Sequence, residues 1–122
     1  MPRILAIDDS PIIHKIITTV LAPLGYEVVT AANGEEGLAL VHSARPDLVI
    51  TDVIMPEMNG RDLSDQLHAL YPEIKSLFMS GYTADVIAHR GILDEGVHFI
   101  HKPFSIKDLA VKVREALNPR IP

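Results

Sequence analysis

The sequence of 122 residues contains no cysteine. This absence excludes disulfide bonds, zinc sites built on thiolates and a cysteine nucleophile. The chain also lacks any apolar run close to the roughly 20 residues that a membrane-spanning helix needs. Its first residues show no basic segment followed by an apolar stretch, so we expect no export signal, no membrane association and a cytoplasmic location.

Clusters of basic residues and flexible linkers are missing as well. The 11 Lys and Arg residues are dispersed, and with 16 Asp and Glu they give a formal net charge of −5. Because phosphate contacts need clustered Lys and Arg, we expect no direct binding of nucleic acid. No glycine- or serine-rich run separates one part of the chain from another. We therefore predict a single domain over residues 1–122.

Short apolar runs alternate with helical patterns five times along the chain. Apolar runs at 4–7, 27–30, 48–51, 76–79 and 97–100 read as buried strands. Helical spacing follows each of them, at 11–24, 34–45, 60–70, 84–90 and 105–118. Strands that are apolar on both faces and alternate with helices predict a parallel sheet covered on both sides, which is a three-layer α/β fold.

Apolar stripes on three of these helices are predicted to face the core. The first helix, with Ser10 as its cap, Pro11 at its first position and Gly25 at its end, carries seven apolar positions: Ile12, Ile13, Ile16, Ile17, Val20, Leu21 and Leu24. The third helix carries Leu63, Leu67 and Leu70, and the last helix, capped by Ser105, carries Ile106, Leu109, Ala110, Val113 and Leu117.

Charged residues stand where three of the predicted strands end. Asp8 and Asp9 follow the first strand, Asp52 the third and Lys102 the fifth. A charge just past an apolar strand avoids the burial cost that it would carry inside the strand. Because the carboxyl ends of parallel strands share one edge of the sheet, where ligands bind, we expect these four side chains to meet there.

Three carboxylates in one crevice repel each other unless a cation intervenes, and Mg²⁺ prefers such oxygen ligands. An aspartate carboxylate is also a nucleophile towards phosphoryl groups. Mg²⁺ can then bind one phosphoryl oxygen, Lys102 a second, and the hydroxyl of Ser80 with nearby backbone N–H groups a third. A simpler interpretation stays open for each part: Asp8 and Asp9 as charges near a helix N-terminus, and Lys102 as a surface residue.

Four segments of the chain resemble the receiver domain of bacterial two-component response regulators. They are Ile7-Asp8-Asp9-Ser10, Thr51-Asp52-Val53-Ile54-Met55-Pro56-Glu57-Met58-Asn59-Gly60, Met79-Ser80-Gly81-Tyr82 and Lys102-Pro103-Phe104. The resemblance covers essentially the whole chain and is specific because the segments occur together. It implies a flavodoxin-like (βα)5 doubly wound fold with strand order 2-1-3-4-5, and a Mg²⁺-dependent phosphoryl-accepting switch rather than an enzyme with an external substrate.

The resemblance also implies a role for each matching position of the metal and phosphoryl site. Asp52 would be the phosphoacceptor. Asp9 and Asp52 would ligate Mg²⁺ or Mn²⁺ together with the carbonyl of Ile54, while Asp8 would act through water. Lys102 would contact the phosphoryl group, and its bond to Pro103 is expected to be cis.

Two further positions correspond to the switch residues of the family. Ser80 takes the place of the commoner Thr and Phe99 that of the commoner Tyr. Ser80 would follow the phosphoryl oxygens, and Phe99, lacking a phenolic hydroxyl, would act by packing alone. The expected result is a changed surface on the fourth helix, the fifth strand and the fifth helix.

The resemblance implies a histidine kinase or a histidine phosphotransfer protein as phosphodonor, and it is compatible with an output domain, a partner protein or a weak homodimer. Residues 79–82 look like those of receivers in hybrid sensor histidine kinases. We further hypothesise that Pro11 and Ile12 are exposed and dock the phosphodonor.

Three other functions compete with the switch. A phosphatase with an aspartyl nucleophile would resemble Asp-x-Asp, but Ile54 occupies the second acidic position. An interaction module independent of phosphorylation usually lacks part of the acidic set, which is complete here. A flavin protein would need a phosphate loop where Asp8 and Asp9 repel phosphate. The six histidines form no ligand cluster and are interpreted as surface or structural residues.

Overall fold

The computed structural model describes residues 2–53, 60–81 and 98–117. Five strands form one sheet in the order β2-β1-β3-β4-β5, and every neighbouring pair is parallel. The strands are β1 (Arg3–Ile7), β2 (Glu27–Ala31), β3 (Leu48–Asp52), β4 (Lys75–Ser80) and β5 (Phe99–His101). The predicted flavodoxin-like α/β fold and its strand order are confirmed.

The helices are α1 (Pro11–Leu21), α2 (Gly34–Ala44), α3 (Gly60–Leu70) and a C-terminal helix (Ile106–Leu117). The predicted helix at 84–90 and the start of the predicted fifth strand lie outside the described residues. In the part of the chain that the structure describes, no helix is both long enough and apolar enough to cross a membrane.

The ends of α1 follow from its sequence. The Ser10 hydroxyl accepts a hydrogen bond from the Ile13 N–H, and Pro11 occupies the first turn. The predicted helix continues to Leu24, but its last three residues form a 3₁₀ turn (Ala22–Leu24) instead. Pro23 has no N–H with which to continue the α-helical bonding, so the tighter turn is favoured. Gly25 then ends the segment with φ 97°, a left-handed value that glycine tolerates.

Two apolar layers lie on opposite faces of the sheet, because successive side chains of a strand point to opposite sides. On one face Ile4 and Ala6 of β1 pack in the cluster that includes α1 and the C-terminal helix. On the other face Leu5 and Ile7 pack in the cluster that includes α2 and α3. The helices therefore cover both faces of the sheet, as the three-layer prediction requires.

The predicted apolar stripes are wider than the buried helix faces. Five of the predicted positions are exposed: Ile12 at 70%, Ile16 at 39%, Leu24 at 55%, Leu70 at 58% and Ile106 at 71%. Ile12 is exposed, as the docking hypothesis requires. For Ile16, Leu24, Leu70 and Ile106 the prediction that the stripe faces the core is wrong. Leu70 and Ile106 each lie in a terminal turn of their helix.

Gly37 lets α2 lie close to the sheet. It is buried in the helix, and a Cβ built there would lie 3.0 Å from Cγ1 of Ile7 and closer still to Cδ1. Contacts this short require the neighbour to move. Ile7 is fully buried and immediately precedes Asp8, so the close approach of α2 helps to fix the end of β1.

We predict that Gly37→Ala and Ile7→Val are strongly coupled. Gly37→Ala alone overpacks the core, which should lower the free energy of unfolding by about 1–3 kcal/mol. The higher helix propensity of alanine should offset about 1 kcal/mol of this loss. Ile7→Val alone costs about 0.5–1.5 kcal/mol. The double variant should be less destabilised than the sum by about 1 kcal/mol in urea unfolding, because valine lacks the Cδ1 atom that crowds the added methyl. Additive effects would contradict this account of the contact.

Candidate functional site

Strand register brings the predicted site residues to one edge of the sheet. Asp52 ends β3 and Ser80 ends β4, while Asp8 and Lys102 directly follow β1 and β5. Ile7 is aligned with Thr51, and Asp52 with Met79. Because these four strands are consecutive neighbours in the sheet, their carboxyl ends form one continuous crevice.

The ammonium group of Lys102 joins two of the aspartates. Its Nζ atom lies 2.7 Å from Oδ2 of Asp8 and 2.9 Å from Oδ2 of Asp52. The other oxygen of Asp8 accepts a hydrogen bond of 2.8 Å from the Ser10 N–H. Asp8 is only 1% exposed, so its charge depends on these internal partners.

Lys102 stays charged in this arrangement. Burial lowers the pKa of Lys102 and is the largest single influence, but the hydrogen bonds and charges of Asp8 and Asp52 together raise the pKa above its ordinary 10.5. A raised pKa of a cation stabilises the fold fully below pH 10.5, and that contribution is lost only as the pH rises through the folded-state value. The ion pairs are therefore complete at neutral pH.

Asp8, Asp9 and Asp52 offer carboxylate oxygens that all lie within 4.8 Å of one another. Three carboxylates around one ammonium leave two negative charges uncompensated among these groups. Asp9 is exposed, which leaves this cluster open to solvent. An all-oxygen donor set with a surplus of two negative charges fits a hard divalent cation such as Mg²⁺ or Mn²⁺.

The two predicted switch residues lie on neighbouring strands. Ser80 is 1% exposed, and its carbonyl oxygen accepts a 2.8 Å hydrogen bond from the Lys102 N–H. Phe99 is aligned with Phe78 in the sheet, and both pack with Val53 in a small cluster of their own. Phe99 thus packs against a cluster that contains Val53, the residue that follows Asp52.

The remaining predicted features are the docking residues, the cis peptide bond and the carbonyl ligand of the cation. Pro11 and Ile12 are exposed in the first turn of α1, and the Lys102–Pro103 peptide bond is cis, as predicted. Ile54, the predicted carbonyl ligand, lies outside the described residues. The sequence predicted that Lys102 and Asp8 meet at this edge of the sheet, but it did not predict the direct hydrogen bond between them.

Sequence reasoning also missed a contact of His101, which it interpreted as a surface or structural residue. The His101 Nε2 atom lies 3.1 Å from the carbonyl oxygen of Gly81, beside Ser80. The only signal in the sequence is its position, immediately before Lys102 and two residues after Phe99.

Comparisons with known proteins agree on one family. The response regulator receiver domain family matches residues 4–114. The sensor kinase CckA of Brucella abortus (strain 2308) is 37% identical over 116 residues, which are 93% of this chain and 12% of that protein. The chain spans 12%, 25% and 49% of the length of three curated relatives that it matches.

Solved structures give the same result. The chemotaxis protein CheY4 of Vibrio cholerae superposes with a TM-score of 0.86 at 32% identity, covering 96% of this chain and 99% of that chain. The receiver domain of the hybrid histidine kinase CckA superposes with a TM-score of 0.77 at 34% identity, covering 94% of this chain and 98% of that chain.

We predict that Lys102→Met destabilises the protein and that Mg²⁺ restores part of the loss. Removing the ammonium leaves a buried carboxylate beside two others, at a cost of about 3 kcal/mol, the lower end for breaking a buried ion pair because Lys102 is partly exposed. Since Mg²⁺ can replace the lost positive charge, it should raise the free energy of unfolding more in Lys102→Met than in the wild type.

Urea unfolding at pH 7 with and without Mg²⁺ measures both effects. Lys107→Met serves as the control, because Lys107 is an exposed lysine of the C-terminal helix. Equal stabilisation of all three proteins by Mg²⁺ would contradict the carboxylate cluster as the site of the cation.

Proposed function

The chain belongs to the response regulator receiver domain family, and from that premise we propose that it is a phosphoryl-accepting signalling switch. Its phosphodonor is the phosphohistidine of a histidine kinase or a histidine phosphotransfer protein. The observation that carries the proposal is the 2.9 Å pair between Lys102 and Asp52 within a cluster of three carboxylates.

Asp52 is the acceptor because it alone of the three carboxylates combines contact with Lys102 and access from solvent, among the contacts described. Its side chain is 16% exposed, whereas Asp8 is 1% exposed and held by Ser10. Asp9 is exposed but forms no described pair with Lys102. These differences in burial and pairing support Asp52 as the nucleophile over its two neighbours.

In the proposed step an oxygen of Asp52 forms a bond to phosphorus while the bond from phosphorus to the donor's imidazole nitrogen breaks. The electron pair of that bond stays on the imidazole, and Asp52 becomes an acyl phosphate. Lys102 already lies beside the attacking carboxylate of Asp52, so its ammonium can neutralise a phosphoryl oxygen without a large movement.

Asp9 and Asp52 would hold Mg²⁺ or Mn²⁺ directly, and Asp8 would hold it through water. When bound, the cation supplies charge neutralisation to the phosphoryl oxygens. The Ile54 carbonyl keeps its place in this ligand set from the family resemblance. Asp8 is kept rigid by Lys102 and Ser10, so it can order the water layer at the buried side of the site.

The added phosphoryl group carries about −1.5 to −2 charges and three acceptor oxygens. Ser80 ends the strand beside β3 and can donate its hydroxyl to one of them. Phe99 packs against the cluster of Val53 and Phe78, so a shift of this region would change the aromatic packing and the surface of β5 and the C-terminal helix. The phosphoryl group is held on Asp52 itself, so the proposed function includes no turnover of an external substrate. The proposed location of the protein is the cytoplasm.

We predict that acetyl phosphate with Mg²⁺ adds one phosphoryl group to the wild type and none to Asp52→Asn. The amide oxygen of asparagine is a poor nucleophile and cannot form the acyl phosphate. Intact-protein mass analysis measures the addition, and hydroxylamine should remove it because an acyl phosphate is labile to that reagent.

Asp65→Asn is the matched control, because Asp65 is an exposed aspartate of α3 in a surface pair with Arg61. Equal labelling of Asp52→Asn and Asp65→Asn would refute Asp52 as acceptor. Continuous release of phosphate from a generic phosphate ester would favour the aspartyl phosphatase instead.

The phosphodonor is proposed to dock on the first turn of α1. Ile12 is 70% exposed, an unusual position for a large apolar side chain, and Pro11 beside it is exposed too. Both follow Asp8 and Asp9 directly, so a protein seated on them would reach the crevice. Small phosphodonors need no such surface.

We predict that Ile12→Asp slows phosphoryl transfer from a partner protein about tenfold and leaves labelling by acetyl phosphate unchanged. A charge in an apolar contact costs roughly the 1.4 kcal/mol that corresponds to tenfold. Leu24→Asp is the control, since Leu24 is 55% exposed beyond the other end of α1. Equal slowing of both reactions by Ile12→Asp would count against docking.

A further inference from the structure

The His101 ring makes a hydrogen bond that the proposed chemistry does not use. Its Nε2 atom lies 3.1 Å from the carbonyl oxygen of Gly81. Because a carbonyl oxygen can only accept, the ring nitrogen donates, and both the Nε2–H tautomer and the imidazolium can do so. The contact therefore does not depend on the protonation state of His101.

This bond extends the pairing of β4 and β5 at the edge that carries the site. Ser80 is aligned with His101, and the Ser80 carbonyl accepts from the Lys102 N–H at 2.8 Å. The next carbonyl along the chain, that of Gly81, is held by the His101 side chain. The Ser80 carbonyl therefore accepts a hydrogen bond from the Lys102 N–H, and the Gly81 carbonyl accepts one from the His101 side chain. The two donors are neighbours in the sequence.

Among the residues that the structure describes, packing adds little to hold Gly81 in place. The residue is exposed, has no side chain, and a Cβ built on it would meet nothing within 4 Å. Glycine also has the widest choice of backbone conformations. The hydrogen bond from His101 to the Gly81 carbonyl therefore supplies a restraint that packing of the described residues does not.

The strand that carries this restraint also carries two residues of the proposed switch. β5 has three residues, and the alternation of side chains puts Phe99 and His101 on one face while Ile100 is buried on the other. Lys102 follows directly. A displacement of the Gly81 carbonyl is therefore coupled through His101 to the strand that holds Phe99.

We propose that His101 is a positioning residue that restrains Ser80–Gly81 through the Gly81 carbonyl and so limits how readily Ser80 reaches a phosphorylated Asp52. The inference rests on the proposed function. A hydrogen bond is lost once its heavy atoms separate beyond about 3.5 Å. The 3.1 Å bond between His101 and Gly81 therefore opposes a movement of Ser80 that displaces the Gly81 carbonyl away from the ring.

Two variants separate the hydrogen bond from the ring. His101→Phe keeps an aromatic ring but removes the donor, whereas His101→Gln keeps an N–H donor at a similar reach. Dissociation constants for beryllofluoride, which stands in for the phosphoryl group, are measured with Mg²⁺ by NMR titration. His101→Phe should bind it two- to tenfold more tightly than the wild type, the range expected for one modest hydrogen bond.

His101→Gln should bind within about twofold of the wild type, and His68→Phe, at an exposed histidine of α3, should not change binding. Equal affinities of His101→Phe and the wild type, or weaker binding by His101→Phe, would overturn the role of His101 alone. A wild type without any beryllofluoride response would overturn the proposed function and, with it, the switching role.

Amide hydrogen exchange in the free protein tests the restraint without a phosphoryl analogue. The Lys102 amide donates to the Ser80 carbonyl, so a looser segment should expose it more often. We expect exchange at Lys102 to be two- to tenfold faster in His101→Phe and unchanged in His101→Gln. Identical exchange in both variants would refute the restraint.

Discussion

The site depends on one cation that serves two carboxylates of different exposure. Lys102 contacts Asp8 and Asp52 at 2.7 and 2.9 Å, although these residues follow different strands. A buried charge is tolerated only when it is paired and hydrogen-bonded. The fold can therefore place Asp8 at 1% exposure because β5 delivers an ammonium group to the same edge, and because the Ser10 N–H binds the other oxygen of Asp8. Strand order β1-β3-β4-β5 is what makes this delivery possible.

The three aspartates differ in burial, and therefore in how freely each can bind a ligand from solvent. Asp8 is fixed by two internal partners, Asp52 retains one partly open face, and Asp9 is exposed. Like charges at such short range would oppose folding if all three were buried to the same degree. Spreading them from core to solvent limits that repulsion and still leaves a surplus negative charge at the mouth of the crevice. A divalent cation and a phosphoryl group, which are opposite in charge, both suit a site of this kind.

The sequence was sufficient to predict the strands and the edge at which the site lies, because charged residues interrupt apolar runs at the strand ends. It also predicted the caps of α1 and of the C-terminal helix, since capping is local: Ser105 accepts from the Asp108 N–H at 3.0 Å. Burial at helix ends was not predictable from periodicity. Ile106 has the right spacing for the core but lies in a first turn, and only the tertiary structure shows how far each layer extends.

The individual hydrogen bonds between strand ends could not be predicted from the sequence, for a different reason. The bonds from Lys102 to Asp8 and from His101 to Gly81 depend on register, and a shift of one residue would send each side chain to the opposite face. Register in turn is set by packing of the whole sheet. β5 has three residues, pairs with β4 along its length and is joined to it by the further side-chain bond from His101 to Gly81. In the proposed switch, Phe99, His101 and Lys102 would therefore respond together to a change at Asp52, because so short a strand offers no segment between them that could absorb a displacement.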